Sequence, residues 1–384
     1  MSSTHVVYVP STNLMGRGCL ADMGPYVAEL GCRKALLVTD KFLNQSGIAD
    51  KVKQVLSGAG VEAVVYDEVK PNPTTKNVQD GVELFQESQC EFIVSVGGGS
   101  PQDAAKAIGL VVTNGGDIRS YEGVGKTRHK SVPIIAVNTT AGTSSEYTIN
   151  YVITDEDRGV KMVMVDKNSL VTISVNDPEL MTGKPASLTA ATGMDALTHA
   201  IEAIVTPGAF PVTNATALAA VEIIFNYLPR AVEKGEDIEA REQMTYVMFL
   251  AGLAFNNAGL GFVHAMAHQL GGMYDLPHGV CNAMLLPIVE RENAKRSPAK
   301  FRLIAKAAGL DPAGKSDAEC ADEVIKAIQD LSVKVGIPSK LSKLGIQEVD
   351  LELLADNALK DACAPGNPYQ PTKDEVIAMF KEIL

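Results

Sequence analysis

Three of the six histidines in the chain fall within fifteen residues, in a stretch that is otherwise largely apolar. His264 and His268 are four residues apart, a spacing that places both side chains on one face of a helix. His278 follows in "LPHGV", where a new helix is predicted to begin. Upstream, "GMDALTHAIEA" gives Asp195 and His199 the same spacing. One carboxylate with three or four imidazoles suits Zn²⁺ or Fe²⁺, so the sequence predicts a metal site.

Each of these pairs has a simpler interpretation when it is taken alone. An Asp and a His four residues apart are usually a capped or solvated pair, and "HAMAH" lacks the Glu that zincin peptidases use as a base. The metal interpretation depends on the two pairs together with His278. No Lys or Arg occurs between Arg241 and Arg291, and such residues usually hold phosphate and carboxylate substrates. The helical half of the site is therefore expected to accept a small neutral molecule.

A glycine-rich segment, "VGGGSP", lies between a predicted strand and a predicted helix. Its three glycines would let the backbone approach a phosphate at the helix N-terminus, and we expect Ser100 to cap that helix. By itself the segment is equally consistent with a plain tight turn. A second polar loop, "NTTAGTSSE", follows the next strand. Two such loops at the carboxyl ends of strands suit a dinucleotide.

The standard G-x-G-x-x-G pattern, with an acid about 20 residues later, is absent. The candidate acid is Asp40, which ends the strand "KALLVTD" and precedes the glycine loop. We therefore expect a dinucleotide-binding sheet whose order differs from that of an ordinary Rossmann dehydrogenase.

In the first half of the chain, compact apolar strands alternate with amphipathic helices, which predicts a parallel sheet covered on both faces. The predicted strands lie in "MSSTHVVYVPSTN", "KALLVTD", "VEAVVYDEV", "EFIVSVGGGSP", "VPIIAVNTT", "VKMVMVD" and "LVTISVND". From about Pro185 onward, long helical patterns follow one another without a convincing strand. We predict an α/β dinucleotide-binding domain over residues 1–185 and an all-helical metal-binding and catalytic domain over residues 186–384.

The composition is that of a globular protein with a large core, 46% hydrophobic and 21% charged, and the net charge of −12 disfavours binding to nucleic acid or anionic membranes. We expect no transmembrane helix, because no run of 18 apolar residues occurs, and the N-terminus lacks the pattern of a signal peptide. The six cysteines are scattered, which favours reduced thiols and a cytoplasmic location.

Taken together, "GGGSPQDAAKAIG", "NTTAGTSSE", "AATGMDALTHAIEA", "GLGFVHAMAHQLGG" and "LPHGVCNAMLLP" resemble the iron-containing (group III) alcohol dehydrogenases. The similarity extends over essentially the whole chain and is near the lactaldehyde reductase, 1,3-propanediol dehydrogenase and bacterial ethanol dehydrogenase members. It implies a dehydroquinate synthase-like fold, an α/β domain followed by an all-α domain. The implied activity is hydride transfer between NAD(H) and a small primary alcohol or aldehyde.

The resemblance also assigns roles to single residues. It implies Asp195, His199, His264 and His278 as metal ligands, with Fe²⁺ as the metal and Zn²⁺ as the alternative. It places His268 beside the nicotinamide and the substrate, where it is our candidate for proton relay. The implied cofactor-binding residues are Asp40, Asn72, Gly97, Gly98, Gly99, Ser100, Thr139, Thr140, Thr143, Asn150, Lys161 and Leu180. Phe255 and Leu260 are implied to line the substrate pocket.

Two departures from the family pattern affect the outer lining of the site. Relatives read "LLPHV" where this chain has Ile288 in "LLPIV", and "VTPGAF" replaces the commoner continuation after "HAIEAI".

Two functions other than alcohol oxidation are compatible with parts of the sequence. One is a lyase or phosphate-substrate dehydrogenase similar to dehydroquinate synthase or glycerol-1-phosphate dehydrogenase, and the other is a non-catalytic metal-binding protein. The family likeness further implies a homodimer or a larger homo-oligomer.

Overall fold

The strands lie in the first half of the chain, in a computed structural model that describes residues 4–346 and 350–384. They are β1 (Thr12–Met15), β2 (Lys34–Val38), β3 (Glu62–Tyr66), β4 (Phe92–Gly97), β5 (Gly123–Val124), β6 (Ile134–Asn138), β7 (Asn150–Asp155), β8 (Val160–Val165) and β9 (Ile173–Asn176). Six of them form a parallel sheet in the order β1-β9-β6-β4-β2-β3. The other three form a small sheet, β5-β8-β7, in which β7 and β8 are antiparallel.

The order of the large sheet determines where a ligand can bind. Without the edge strand β1, the order β3-β2-β4-β6-β9 is the flavodoxin-like order 2-1-3-4-5 of doubly wound sheets. In that order, ligands bind at the carboxyl ends of the strands where the winding direction reverses, which here lies between β2 and β4. The structure thus confirms a parallel sheet that differs from the ordinary Rossmann order.

Residues that alternate along the central strands pack on opposite faces of this sheet, because side chains in a strand have a period of two. In β2, Leu36 and Val38 join one apolar core, whereas Ala35 and Leu37 join the other. The helices of this part are α1 (Met23–Glu29), α2 (Lys41–Gln45), α3 (Ile48–Gly58), α4 (Thr75–Glu87) and α5 (Gly99–Asn114). The apolar strands are therefore covered on both sides, as the sequence pattern predicts.

The remainder is helical. From Gly183 onward, the described residues contain α6 (Ala186–Val205), α7 (Pro211–Glu233), α8 (Ile238–Ala258), α9 (Phe262–Tyr274), α10 (His278–Ala294), α11 (Pro298–Ala307), α12 (Asp317–Lys334), α13 (Leu351–Ala358) and α14 (Lys373–Lys381), and no strand. Helix α6 is buried at every residue from Thr189 to Val205. A helix that is buried all round lies in the centre of its bundle, and α6 packs against α7, α8 and α10.

The chain divides into two compact units. One contains the residues up to Thr140 together with Ser144–Thr182, and the other contains Ala141–Thr143 together with Gly183–Leu384.

Helix α7 is long and apolar enough to cross a membrane by length and composition, and α8 with α9 would do so only as a span bent by 103°. The apolar residues that α7 buries, such as Val221 and Leu228, form the stripe typical of a core helix in a bundle.

Three local expectations need correction. Ser100 does not cap α5, because that helix already begins at Gly99 and its N-cap is Gly98, which has no side chain. The first strand begins only at Thr12, and the residues from Thr4 to Pro10 are not in a strand, whereas Met1–Ser3 lie outside the described residues. Strands β5 and β7 and the short helices α1 and α2 are not among the elements predicted from the sequence. For β5, α1 and α2 the reason is their length, since short elements carry little periodic signal.

Candidate metal and cofactor sites

Helix α6 carries three chemically active side chains on one face. Asp195, His199 and Glu202 follow one another at intervals of four and three residues, which is the repeat of a helical face. All three are at least 96% buried. Their burial in the centre of the bundle means that each needs a partner, because an isolated charge is costly away from water.

Helices α9 and α10 bring two further histidines to Asp195. The ligand atoms of Asp195, His199 and His264 all lie within 4.8 Å of one another. His278, the first residue of α10, places its Nε2 atom 3.5 Å from Asp195 Oδ1. His278 is the most accessible of the four, with a side chain that is 33% exposed. The structure therefore brings together all four residues that the sequence singles out as candidate ligands.

The amide of Asn282 shows that this donor set fits a cation. Its Nδ2 atom lies 2.7 Å from Asp195 Oδ1, 3.0 Å from His278 Nε2 and 3.2 Å from His264 Nε2. Three acceptor atoms thus converge on one nitrogen that carries only two hydrogens. His199 Nδ1 and Asn282 Oδ1 are buried without a hydrogen-bond partner. A divalent cation, which accepts several lone pairs at once, fits this arrangement.

The electrostatics favour the protonation states that metal binding requires. Burial lowers the pKa of His199 and lowers that of His264 well below its ordinary value, so both imidazoles are neutral at neutral pH. Burial alone would raise the pKa of Asp195, but the neighbouring histidines and the Asn282 amide outweigh it and leave the pKa lowered. A carboxylate among neutral imidazoles is the ligand form that Fe²⁺ or Zn²⁺ binds.

Glu202 holds the ring of His264. Its Oε2 atom lies 2.5 Å from His264 Nδ1, and Oε1 accepts a hydrogen bond of 2.8 Å from the backbone N–H of Val263. Burial raises the pKa of Glu202 to about 7, and backbone N–H groups around Gly261 oppose this by stabilising the carboxylate. With Nδ1–H donated to Glu202, His264 presents Nε2 to the cluster. Carboxylates commonly orient metal-binding histidines in this way.

His268 has different partners. Its Nδ1 atom lies 3.0 Å from Asp361 Oδ2, and Cys363 completes a second group of possible ligand atoms within 4.8 Å. The ring stacks on His278 at a centroid distance of 5.4 Å. His268 therefore adjoins the four-residue cluster, but its own hydrogen bond is directed to Asp361.

The two predicted substrate-pocket residues also lie in this unit. Phe255 stacks on His199 with ring centroids 4.1 Å apart and an interplanar angle of 17°. The backbone of Leu260 lies so close to Gly366 that a Cβ atom at Gly366 would overlap its carbonyl oxygen. Ile288, the departure from the family pattern, is buried within α10.

At the carboxyl end of β4, the glycine loop approaches its neighbours more closely than other residues could. Gly97 has φ +150°, and a Cβ atom there would lie 2.5 Å from Pro101. A Cβ atom at Gly98 would lie 2.8 Å from the Thr140 side chain. Helix α5 has no side-chain cap. Its first-turn N–H groups thus point out of the helix, in the arrangement that binds phosphate.

The second polar loop is tied to the first. Thr139 donates its backbone N–H to Gly97 O at 3.1 Å, and Asn138 Oδ1 accepts a hydrogen bond from the backbone N–H of Thr140. Thr143 lies two residues before Ser145, whose carbonyl accepts from the buried Lys106 Nζ at 2.6 Å. The glycine loop and the first residues of the second polar loop, Asn138–Thr140, therefore lie side by side.

Asp40, at the end of β2, lies on the other side of the winding reversal. Its Oδ1 atom accepts a hydrogen bond of 2.8 Å from the backbone N–H of Leu43 and so caps α2. The second carboxylate oxygen, Oδ2, remains to accept hydrogen bonds from hydroxyl groups.

The other predicted cofactor contacts lie on or beside further strands. Lys161 Nζ lies 2.8 Å from Asn72 Oδ1. Asn150 begins β7 and Leu180 is buried in the turn after β9.

Three residues of the site escape the sequence-based analysis. Glu202 carried a usable signal, since it continues the helical face of Asp195 and His199. Asn282 carried a weaker one, four residues after His278. Asp361 carried none, because its contact with His268 spans 93 residues of sequence.

Two family patterns match the chain. The pattern described as "Iron-containing alcohol dehydrogenase" matches residues 10–178, and "Fe-containing alcohol dehydrogenase family, C-terminal" matches residues 189–384. The 1,3-propanediol dehydrogenase of Klebsiella pneumoniae is 48% identical over 376 residues, 97% of each chain. The NAD-dependent methanol dehydrogenase of Bacillus methanolicus is 45% identical over 377 residues, 98% of this chain and 99% of that protein.

The structural comparison agrees. A crystal structure of 1,3-propanediol oxidoreductase covers 100% of both chains at 47% identity with a TM-score of 0.97. These matches confirm the predicted fold class and favour a dehydrogenase over both alternative functions. The chain belongs to the iron-containing alcohol dehydrogenase family and is an NAD-dependent oxidoreductase of alcohols and aldehydes.

Proposed function

We propose that the chain oxidises small, neutral primary alcohols with NAD⁺ and reduces the corresponding aldehydes with NADH. Substrates of the ethanol, propanediol and lactaldehyde type fit this class. The observation that carries the proposal is the cluster of one carboxylate and three imidazoles, in which Asp195, His199 and His264 are buried and His278 is partly exposed. The absence of Lys and Arg between Arg241 and Arg291 supports a substrate without charge.

The proposed metal ligands are Asp195, His199, His264 and His278, and the metal is Fe²⁺. When bound, Fe²⁺ supplies Lewis acidity to the substrate oxygen and so lowers the pKa of the alcohol. Zinc generally binds such ligands more tightly than iron, and family membership favours iron. Glu202 keeps the proton of His264 on Nδ1, which leaves Nε2 as the atom for coordination.

His268 is proposed to move the substrate proton. Because Asp361 Oδ2 accepts from His268 Nδ1, the Nε2 atom is the one left to take a proton and pass it to solvent. The side chain is 12% exposed, so it can exchange protons with water. An imidazole suits this role near neutral pH.

The proposed cofactor domain is residues 1–185, and the proposed metal-binding and catalytic domain is residues 186–384. NAD is the cofactor. The glycine loop, Gly97–Ser100, would hold its pyrophosphate and Asp40 its ribose hydroxyls. The remaining proposed contacts are Asn72, Thr139, Thr140, Thr143, Asn150, Lys161 and Leu180, with Phe255 and Leu260 lining the substrate pocket. A cytoplasmic location and a homodimer or larger homo-oligomer complete the proposal.

A substrate panel tests the proposed specificity. Enzyme loaded anaerobically with Fe²⁺ is given NAD⁺ with ethanol, 1,3-propanediol, 1,2-propanediol or glycerol 1-phosphate, and NADH absorbance is followed. We expect NADH from the neutral alcohols and at most a weak signal from the phosphate ester. Preferential turnover of the phosphate ester would contradict the proposed substrate class.

A further inference from the structure

Two cationic side chains, Arg241 and Lys184, lie at the start of α6, and each has a buried nitrogen without a hydrogen-bond partner. Arg241 on α8 is 1% exposed, and its Nη2 atom has no hydrogen-bond partner. Lys184 stands just before α6, and its Nζ atom is likewise buried and without a partner. Burial, followed by the positive charge of Arg241, lowers the pKa of Lys184 to about 7. No carboxylate of the described residues forms an ion pair with either side chain.

The rest of Arg241 is firmly held. Its Nε atom donates to Gly235 O at 2.8 Å, and Nη1 donates to Thr189 Oγ1 at 2.8 Å. Thr189 in turn donates to Pro185 O at 3.1 Å. These hydrogen bonds fix the guanidinium beside the first turn of α6 and leave Nη2 as its one nitrogen without a hydrogen-bond partner.

The start of α6 adds further positive potential. The helix has no side-chain cap at its N-cap residue Pro185, so no N-cap side chain accepts from its first N–H groups or offsets the positive end of its dipole. Residues 186–188 are exposed, which gives a small ion access to this turn. The buried guanidinium of Arg241, the buried Nζ atom of Lys184 and an uncapped helix N-terminus therefore belong to one short segment of the bundle. Burying such charges is unfavourable unless a counter-charge joins them.

We propose that Lys184, Arg241 and the first turn of α6 form a binding site for a small inorganic anion such as chloride or phosphate. The anion accepts hydrogen bonds from Lys184 Nζ and Arg241 Nη2 and compensates both charges. Thr189, at the end of this first turn, lies six residues, roughly 9 Å of helix, before Asp195 on the same helix. Its function is to stabilise the start of the helix that carries two of the proposed metal ligands.

Unfolding measurements on the whole protein test the site. Wild type, Lys184→Met and Lys184→Arg are titrated with sodium chloride, and separately with sodium phosphate. A bulky sulfonate salt keeps the ionic strength constant. Met keeps the unbranched shape of Lys and is one atom shorter without its charge, and Arg keeps the charge. General salt effects on stability are common to all three proteins, so the difference between wild type and Lys184→Met isolates the site.

We expect a saturable stabilisation of wild type, with an elevenfold higher folding constant when the free anion is ten times its Kd. Lys184→Arg should retain this response and Lys184→Met should lose it. Without added anion, Lys184→Met should be more stable than wild type. Equal responses in wild type and Lys184→Met would overturn the proposal. So would a stabilisation that depends on protein concentration and not on the anion, because an acidic side chain of a second copy would then be the partner.

Discussion

At the scale of single residues, the three clustered histidines differ in what holds them. His264 is oriented by Glu202, His268 by Asp361, and His278 occupies the first position of a helix. The hydrogen bond that one ring nitrogen makes determines which nitrogen is left to bind a metal or to transfer a proton. Similar spacing in the sequence thus leads to different roles in the structure.

Replacing Glu202 by Gln should weaken metal binding while the fold is retained. The amide has the shape of the carboxylate, but its single oxygen can accept only one of the two hydrogen bonds from Val263 N and His264 Nδ1. Loss of such a partner typically costs about 10- to 100-fold in metal affinity. Competition with a chelator measures the change, and Glu222→Gln on the exposed face of α7 is the control. Unchanged affinity in Glu202→Gln would show that Glu202 does not position His264.

Replacing Asp40 should relax the preference for NAD over NADP. Its free carboxylate oxygen can accept the ribose hydroxyls of NAD but repels the 2′-phosphate of NADP, and like charges at an interface cost several kcal/mol. A penalty of about 2.8 kcal/mol corresponds to roughly a hundredfold in affinity. Since Asp40 also caps α2, Asp40→Asn is the sharper variant, because Asn caps helices as well as Asp does.

The ratio of kcat/KM for the two cofactors provides the comparison, with Asp40→Gly as a second variant. Both substitutions should raise NADP use, and Asp40→Asn should do so without loss of stability. A ratio that stays at the wild-type value in both variants would remove Asp40 from the cofactor site and leave it as a helix cap.

At the scale of elements, the sequence predicts contacts within one helix better than contacts between helices. The pairs on α6 and α9 follow from four-residue spacing, and the parallel sheet follows from alternating strands and helices. The strand order that puts the winding reversal beside Asp40 and Gly97 is known only from the structure. Asp361 could not be predicted in the same way, because tertiary packing alone brings it to His268. The prediction that Ser100 caps α5 is wrong because the helix begins one residue earlier, within the glycine loop. Glycines have no side chain and therefore give no capping signal.

Glu146, in the loop after β6, is expected to make the stability of the protein depend on pH. Burial raises the pKa of Glu146 from its ordinary value of 4.5 to about 7. The folded state therefore holds this proton more tightly, and the associated stability is complete below pH 4.5 and is lost as the pH rises to about 7. Glu146→Gln cannot lose that proton. The unfolding free energy of Glu146→Gln minus that of wild type should therefore increase by on the order of 3 kcal/mol as the pH rises from 4.5 to about 7.

Denaturant unfolding at a series of pH values measures this difference. Exposed Glu87→Gln on α4 is the control and should show a flat difference. If the difference between Glu146→Gln and wild type were also flat from pH 4.5 to 7, Glu146 would titrate normally in the folded protein.

At the scale of the whole molecule, the identity of the metal determines how the enzyme responds to air. Fe²⁺ is open to oxidation, whereas Zn²⁺ has no redox chemistry. Aerobic handling should therefore inactivate the protein, and anaerobic addition of Fe²⁺ should restore NADH formation. Full activity in air of a preparation that contains zinc and no iron would contradict the assignment of iron.

The bound metal per chain, measured for three histidine variants, tests the central claim most directly. His264→Ala and His278→Ala each remove a proposed ligand and should lose most of the bound Fe²⁺ and nearly all NADH formation. His268→Ala should retain the metal at the level of wild type and lose only rate. Equal loss of metal from all three variants would contradict the account, because His268 would then be a ligand and the four-residue centre would be wrong.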